Sequence, residues 1–119
     1  MKKILFLDDM EARHKVFRMG NIGWDVTHVY TAEEAMKALS ETVFDLASLD
    51  HDLSVETIML MPDKGKGSGY DVALFIAEMP EEKRPRTVVV HSLNPSGSIR
   101  MMDALEGKVN KLLRIPFKS

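Results

Sequence analysis

Cysteine is absent from the chain. That excludes disulfides, thiolate zinc sites and a cysteine nucleophile, and it fits a reducing compartment. An excess of charge of either sign is also lacking. The 16 Lys and Arg against 18 Asp and Glu leave a formal net charge of −2, so there is no general attraction to nucleic acid or to an anionic membrane. No apolar run approaches the ~20 residues of a membrane span. The opening MKKILFLDDM has a basic start, but two aspartates cut its apolar run short of a signal peptide's core. Internal repeats and low-complexity tracts are missing too. The expected setting is the cytoplasm, with no membrane partner.

What remains is an ordinary globular composition, 45% hydrophobic and 29% charged over 119 residues. A chain of that size forms a single domain, 1–119, with a proper core. KILFL (3–7) is continuously apolar, as a strand covered on both faces would be. Residues 11–19 carry Ala12, Val16 and Met19 at helical spacing, with Gly20 as a stop. WDVTHVY (24–30) alternates like a strand. Thr31 and Glu34 then form a capping box for a helix through Leu39.

Residues 44–49 read as a third strand. Val72, Phe75, Ile76 and Met79 make one helical stripe ended by Pro80. TVVV (87–90) is β-branched throughout and reads as a central strand. Asn94-Pro95 can open a helix carrying Ile99, Met102 and Leu105, and a last strand lies near 111–115, before Pro116. The order βαβαβαβαβ predicts a single α/β domain: a doubly wound, five-stranded parallel sheet with right-handed crossovers.

In such sheets function collects at the carboxyl ends of the strands. Those ends carry Asp8-Asp9, Asp50-His51-Asp52 and His91-Ser92-Leu93-Asn94. Carboxylates gathered at one edge repel and lose hydration, so they share a proton or bind a cation. Oxygen-rich clusters favour a hard ion such as Mg²⁺. The plainer alternative is that Asp8, Asp9 and Asp52 cap the segments that follow them.

The chain resembles a response-regulator receiver domain over nearly its whole length. KILFLDDMEAR is similar to the first strand with its acidic pair, and WDVTHVYTAEEAMKAL to the second strand and helix. FDLASLD places the phosphoacceptor at Asp50, GYDVALFI is similar to the glycine-led third helix, and RIPF sits where receivers have Lys-Pro-Phe. The departures are informative. The receiver lysine falls on Ile115, with Arg114 beside it as a substitute; the Ser/Thr switch position falls on His91 or Ser92; the fifth helix is missing; and the loop at 54–68 is long. LDHDL with HSLNPSG is similar to a divergent branch, the cyclic-phosphate-processing receiver domains, which are often encoded by phages and in conflict-related operons.

This resemblance implies a phosphoesterase-like domain acting on a phosphorylated small molecule or an RNA end, with Mg²⁺ or Mn²⁺ as cofactor. Asp8, Asp9 and Asp50 are then expected at the metal. His91 is the expected general acid or base, since its unperturbed pKa lies near neutrality, with Asp52 and Ser92 as its catalytic neighbours; the alternative is a histidine packed at the strand end and hydrogen-bonded locally. Asn94, His51, Lys64, Lys66 and Arg114 are expected to hold the substrate. His51 is expected to point to the other sheet face by strand alternation. His14 and His28 are expected at the surface.

Two other readings stay open: a divergent receiver acting as a non-catalytic signalling or binding module, and a topoisomerase-primase type metallo-nuclease. Without a fifth helix, apolar surface is expected around Leu112, Leu113 and Phe117, met by a homodimer partner or by the long loop. Within that loop, apolar 58–61 and the lysines predict a lid over the site.

Overall fold

The computed structural model describes residues 2–53 and 67–116. Lys64, Lys66, the apolar run 58–61 and Phe117 lie outside the described residues, and so does the lid expected there. Among the described residues five strands and four helices alternate: β1 (Lys3–Leu7), α1 (Glu11–Gly20), β2 (Asp25–Val29), α2 (Ala32–Glu41), β3 (Leu46–Leu49), α3 (Gly69–Glu78), β4 (Thr87–Val90), α4 (Pro95–Leu105) and β5 (Lys111–Arg114). A short 3₁₀ turn at Glu81–Lys83 joins α3 to β4. Every strand pairing is parallel, in the order β2-β1-β3-β4-β5. The expected α/β sheet is therefore the observed one. Its winding reverses at β1, which opens a crevice at the carboxyl ends of β1 and β3.

Side-chain alternation divides the sheet into two unequal faces. Leu5, Leu7, Ala47, Leu49, Val88 and Val90 point to the face that α2, α3 and α4 cover. There they pack with Ala35, Leu39, Val72, Ile76, Met101 and Leu105 into the core. The other face carries Ile4, Phe6, Ser48 and Val89, and α1 covers part of it by stacking Phe17 on Phe6, ring centroids 4.2 Å apart. Beside α1 the sheet is open, leaving a groove of about 420 Å³ lined by Ile4, Trp24, Leu46, Val89, Ile115 and other residues.

The open surface is only partly the one expected from Leu112 and Leu113. Leu112 falls on the covered face and packs against the core, whereas Leu113, opposite Val89, falls on the α1 face and is half-buried. Alternation along β5 puts Ile115 on that same face, where it lines the groove. No helix among the described residues is long and apolar enough to cross a membrane.

Local signals start and stop the helices. The Thr31–Glu34 capping box of α2 is formed, with the Glu34 N–H donating to Thr31 Oγ1 at 3.1 Å. A second capping box, Ser68 with Asp71, opens α3, and Asn94 caps α4 by accepting from the Gly97 N–H. Gly20 is the last residue of α1, as expected, and Asn21 caps it, its side chain donating to the Phe17 carbonyl at 2.8 Å; Gly23 then takes the positive φ (94°) that the turn into β2 needs.

Candidate functional site

The carboxyl ends of β1, β3 and β4 converge on Asp8, Asp50 and His91, all three buried. Each can offer one ligand atom, and those atoms lie within 4.8 Å of one another. Asp8 is the hub. Its Oδ1 accepts from the Met10 N–H at 2.9 Å and so starts α1, which has no side-chain cap of its own. Its Oδ2 accepts from His91 Nε2 at 3.0 Å and from Arg13 at 3.2 Å. Burial alone would raise the Asp8 pKa, but these hydrogen bonds and charges outweigh it and hold the carboxyl below its usual range.

Asp50 lacks that support. Its Oδ1 accepts from the His51 N–H, and Arg13 stands 3.8 Å from its Oδ2. Burial first, then the negative charge of Asp8, push its pKa up to about 7. Charge at this edge is thus relieved in two ways, by the Arg13 guanidinium and by a proton on Asp50 near neutrality. Arg13 was not among the expected site residues. Its only sequence signal is its place one helical turn into α1, five residues after Asp8.

A cleft of about 350 Å³ opens beside this cluster, lined by Asp9, Met10, Arg13, Asp50, Asp52, Leu53, Ser92 and Leu93. Asp9 is half-buried there, and burial and the Asp8 charge raise its pKa. Asp9 is not among the three clustered ligand groups; it faces the cleft next to them. Asp52 accepts from His51 Nδ1 at 2.8 Å and from Asn94 Nδ2 at 3.1 Å. Partial burial would raise its pKa, but those two bonds hold it below the usual carboxylate value.

The other expected residues have structural duties. Asn94 spends its carbonyl on Ser96 and Gly97 and its amide on Asp52, so its side chain is committed to capping α4. Ser92 is buried, and its Oγ accepts from the Asn94 N–H. His51 packs its ring against α4, where a Cβ on Gly97 would overlap it. His91 does not line the cleft: its ring is 2% exposed, with Nε2 on Asp8 and Nδ1 2.7 Å from Ser48 Oγ. Burial lowers its pKa against the opposing pull of Asp8. Arg114 is exposed and outside the cleft lining, so Arg13 supplies the nearby cation instead.

The expectation that His14 lies at the surface is corrected, while His28 is partly exposed. His14 is fully buried on α1. Its Nε2 donates to the Asp8 carbonyl at 2.7 Å, so its Nδ1 accepts from His28 Nδ1, also at 2.7 Å. The spacing of Ala12, Val16 and Met19 pointed to the wrong face of α1: those three residues are exposed, and the side turned to the sheet carries His14 and Phe17, both packed on Phe6. Gly69 is equally tied to the site. A Cβ there would overlap the Asp50 carbonyl, and its N–H donates to the His51 carbonyl at 3.0 Å. Gly69→Ala is expected to cost about 3 kcal/mol, measured by urea unfolding, because β3 and α3 must separate to admit the methyl group.

With this geometry in view, the comparisons are decisive. The profile of the cyclic-phosphate processing receiver domain matches residues 3–107. The chain belongs to that family. No curated protein matches it. Receiver domains of known structure share its fold. One is the signal receiver domain of a putative Luxo repressor protein from Vibrio parahaemolyticus, with TM-score 0.67 and 16% identity, covering 98% of this chain and 80% of that one. Another is a CheY-like response-regulator receiver domain from Methylobacillus flagellatus, with TM-score 0.67 and 18% identity over 99% and 89%. A third, the receiver domain of a sensor histidine kinase from Pseudomonas aeruginosa, has TM-score 0.67 and 22% identity over 98% and 87%, and holds a magnesium ion in its active-site cleft. Ile115, beyond the matched residues, lines the apolar groove.

Proposed function

We propose that this receiver domain binds Mg²⁺ or Mn²⁺ at its acidic edge and hydrolyses a cyclic phosphate, carried by an RNA end or a nucleotide. The observation that carries the reading is the buried Asp8–Asp50 pair, one member ionised and the other with its pKa raised to about 7, beside a cleft that Arg13 lines. The donor set fits a small divalent cation: two carboxylates and an imidazole converge within 4.8 Å. Such a cation would polarise a phosphoryl oxygen.

The chain's own groups can do the rest. Arg13 offers a guanidinium to a phosphate in the cleft. Asp9 faces the cleft, and burial and the Asp8 charge raise its pKa, which makes it a better base than an ordinary carboxylate. Opening the ring forms one P–O bond from water and breaks one ester P–O bond. Asp9 takes the water's proton and returns it to the released hydroxyl. Asp52, held ionised by His51 and Asn94, is the weaker base. Receiver signalling through a phosphorylated Asp50 is the second reading, favoured by the acceptor position and by the receiver fold. Ile115 weighs against it, because the lysine that would meet an acyl phosphate is replaced.

The test is turnover of 2′,3′-cyclic nucleotides and cyclic-phosphate RNA ends with Mg²⁺ or Mn²⁺, with EDTA as control. Turnover is expected with either ion and not with EDTA, and Asp9→Asn is expected to lower kcat by about 100-fold. No turnover of any cyclic phosphate, together with a stable acyl phosphate on Asp50 after treatment with a phosphodonor, would replace the first reading with the second.

A further inference from the structure

Ser48 is an unexpected residue for the middle of a buried central strand. It is 4% exposed, and its hydroxyl lies 2.7 Å from His91 Nδ1. The other ring nitrogen of His91 meets Asp8 Oδ2. Asp8 is ionised and can only accept, so Nε2 carries the ring proton when no cation is bound. In a neutral ring Nδ1 is then bare, and the Ser48 hydroxyl donates to it.

A cation reverses these roles. The Asp8 Oδ2 to His91 Nε2 distance is 3.0 Å, about what two adjacent ligands at roughly 2.1 Å subtend in an octahedron. Nε2 can bind a cation only without its proton, and a neutral ring must then carry the proton on Nδ1. That N–H, buried beneath the sheet edge, needs an acceptor. A hydroxyl is both donor and acceptor, so Ser48 satisfies Nδ1 in either state without moving its oxygen.

We infer that Ser48 is a positioning residue that lets His91 change the nitrogen carrying its proton, so that Nε2 joins Asp8 and Asp50 as the third ligand of the cation. The exchange is proton-neutral. Nε2 releases one proton to water, Nδ1 takes one up, and the Ser48 hydroxyl turns from donor to acceptor. An alanine at position 48 would leave Nδ1 facing a methyl group in both states. The inference rests on the metal reading of the same site and adds His91 to the ligands and Ser48 behind it. It also gives His91 a role other than that of a general acid or base in the cleft.

The experiment is long-range ¹H–¹⁵N NMR of the histidine rings in the whole protein, with His14, His28 and His51 as internal references. Without metal, the His91 proton is expected on Nε2; at saturating Mg²⁺ it is expected on Nδ1. By calorimetry, Ser48→Ala is expected to bind Mg²⁺ about 10–100-fold more weakly, and Ser48→Thr, which keeps the hydroxyl, within a few-fold of the parent. A proton on Nδ1 without metal, retention of Nε2–H at saturation, or unchanged affinity in Ser48→Ala would each overturn the inference. If Mg²⁺ binds in a manner that Asp50→Ala abolishes while Nε2 keeps its proton, the inference alone fails. If Mg²⁺ does not bind at all, the metal reading fails and takes the inference with it.

Discussion

At pH 8 and without divalent cations, Asp50→Asn is expected to melt at least about 5 °C above the parent protein, while at pH 5 the difference should be less than half as large. The cause is a carboxyl group that the fold buries without full compensation. Asp50 is 3% exposed, beside ionised Asp8. Its pKa in the folded state is about 7, against an ordinary 3.8. Between those values the folded chain binds more protons than the unfolded chain, so this group makes stability fall as pH rises, and the loss persists above pH 7. The shift sets a ceiling of roughly 4 kcal/mol on that loss.

Asp8 and His91 act in the opposite sense. Their lowered pKa values contribute stability that is lost on acidification, through the carboxylate range for Asp8 and through the imidazole range for His91. Both groups are present in each protein, so their contributions largely drop out of the difference. Mg²⁺ should raise the melting temperature of the parent at pH 8 and much less at pH 5, where a proton occupies Asp50. It should do little for Asp50→Asn at either pH. Melting curves at the two pH values, with and without Mg²⁺, check all of this. An equal stability difference at pH 5 and pH 8 would show that Asp50 is ionised throughout.

Arg13→Ala should act in the opposite direction and more strongly. The same Arg13 nitrogen stands 3.2 Å from Asp8 and 3.8 Å from Asp50, and the Arg13 side chain is 14% exposed. Removing one partner from a buried ionic cluster leaves the other charges uncompensated, at a cost of about 3–5 kcal/mol. For a domain of this size that is a fall of roughly 10 °C or more in melting temperature at pH 8. The charge on Asp50 accounts for part of it, so the double variant Arg13→Ala/Asp50→Asn should be more stable than Arg13→Ala alone. Thermal unfolding of the two single variants and the double variant gives the coupling directly. Saturating Mn²⁺ should also recover more stability in Arg13→Ala than it adds to the parent, since the ion would supply the missing positive charge. Additive effects and equal Mn²⁺ stabilisation would mean that Arg13 acts by packing alone.

The fold was legible because its signals are local and agree with one another. Apolar runs of four or five residues, the Thr31–Glu34 box, the Asn94-Pro95 start and the stripe from Val72 to Met79 each specify one element, and their alternation permits few sheets. The acidic edge was legible for the same reason, since strand ends in a parallel sheet share one side. The roles within it were less so. His91 reads as a free acid or base, but it is buried between Asp8 and Ser48. Asn94 reads as a phosphate ligand, but its side chain is committed to its own helix. For His91 only contacts between residues far apart in the chain make that distinction.

The sequence by itself determined the parallel α/β architecture and the gathering of Asp8, Asp9 and Asp50 at one edge. These follow from hydrophobic period, strand order and residue identity, which are properties of the chain read along its length. Tertiary structure decided which charges meet. It swung Arg13 over Asp8 and Asp50, buried His14 against the Asp8 carbonyl, and set Ser48 behind His91, pairs separated by five, six and forty-three residues. It also turned the open apolar surface from Leu112 to the groove beside α1. The physical reason is common to all of these. Burial and electrostatic compensation depend on distance in space, and the chain fixes that distance only once β1, β3 and β4 lie side by side.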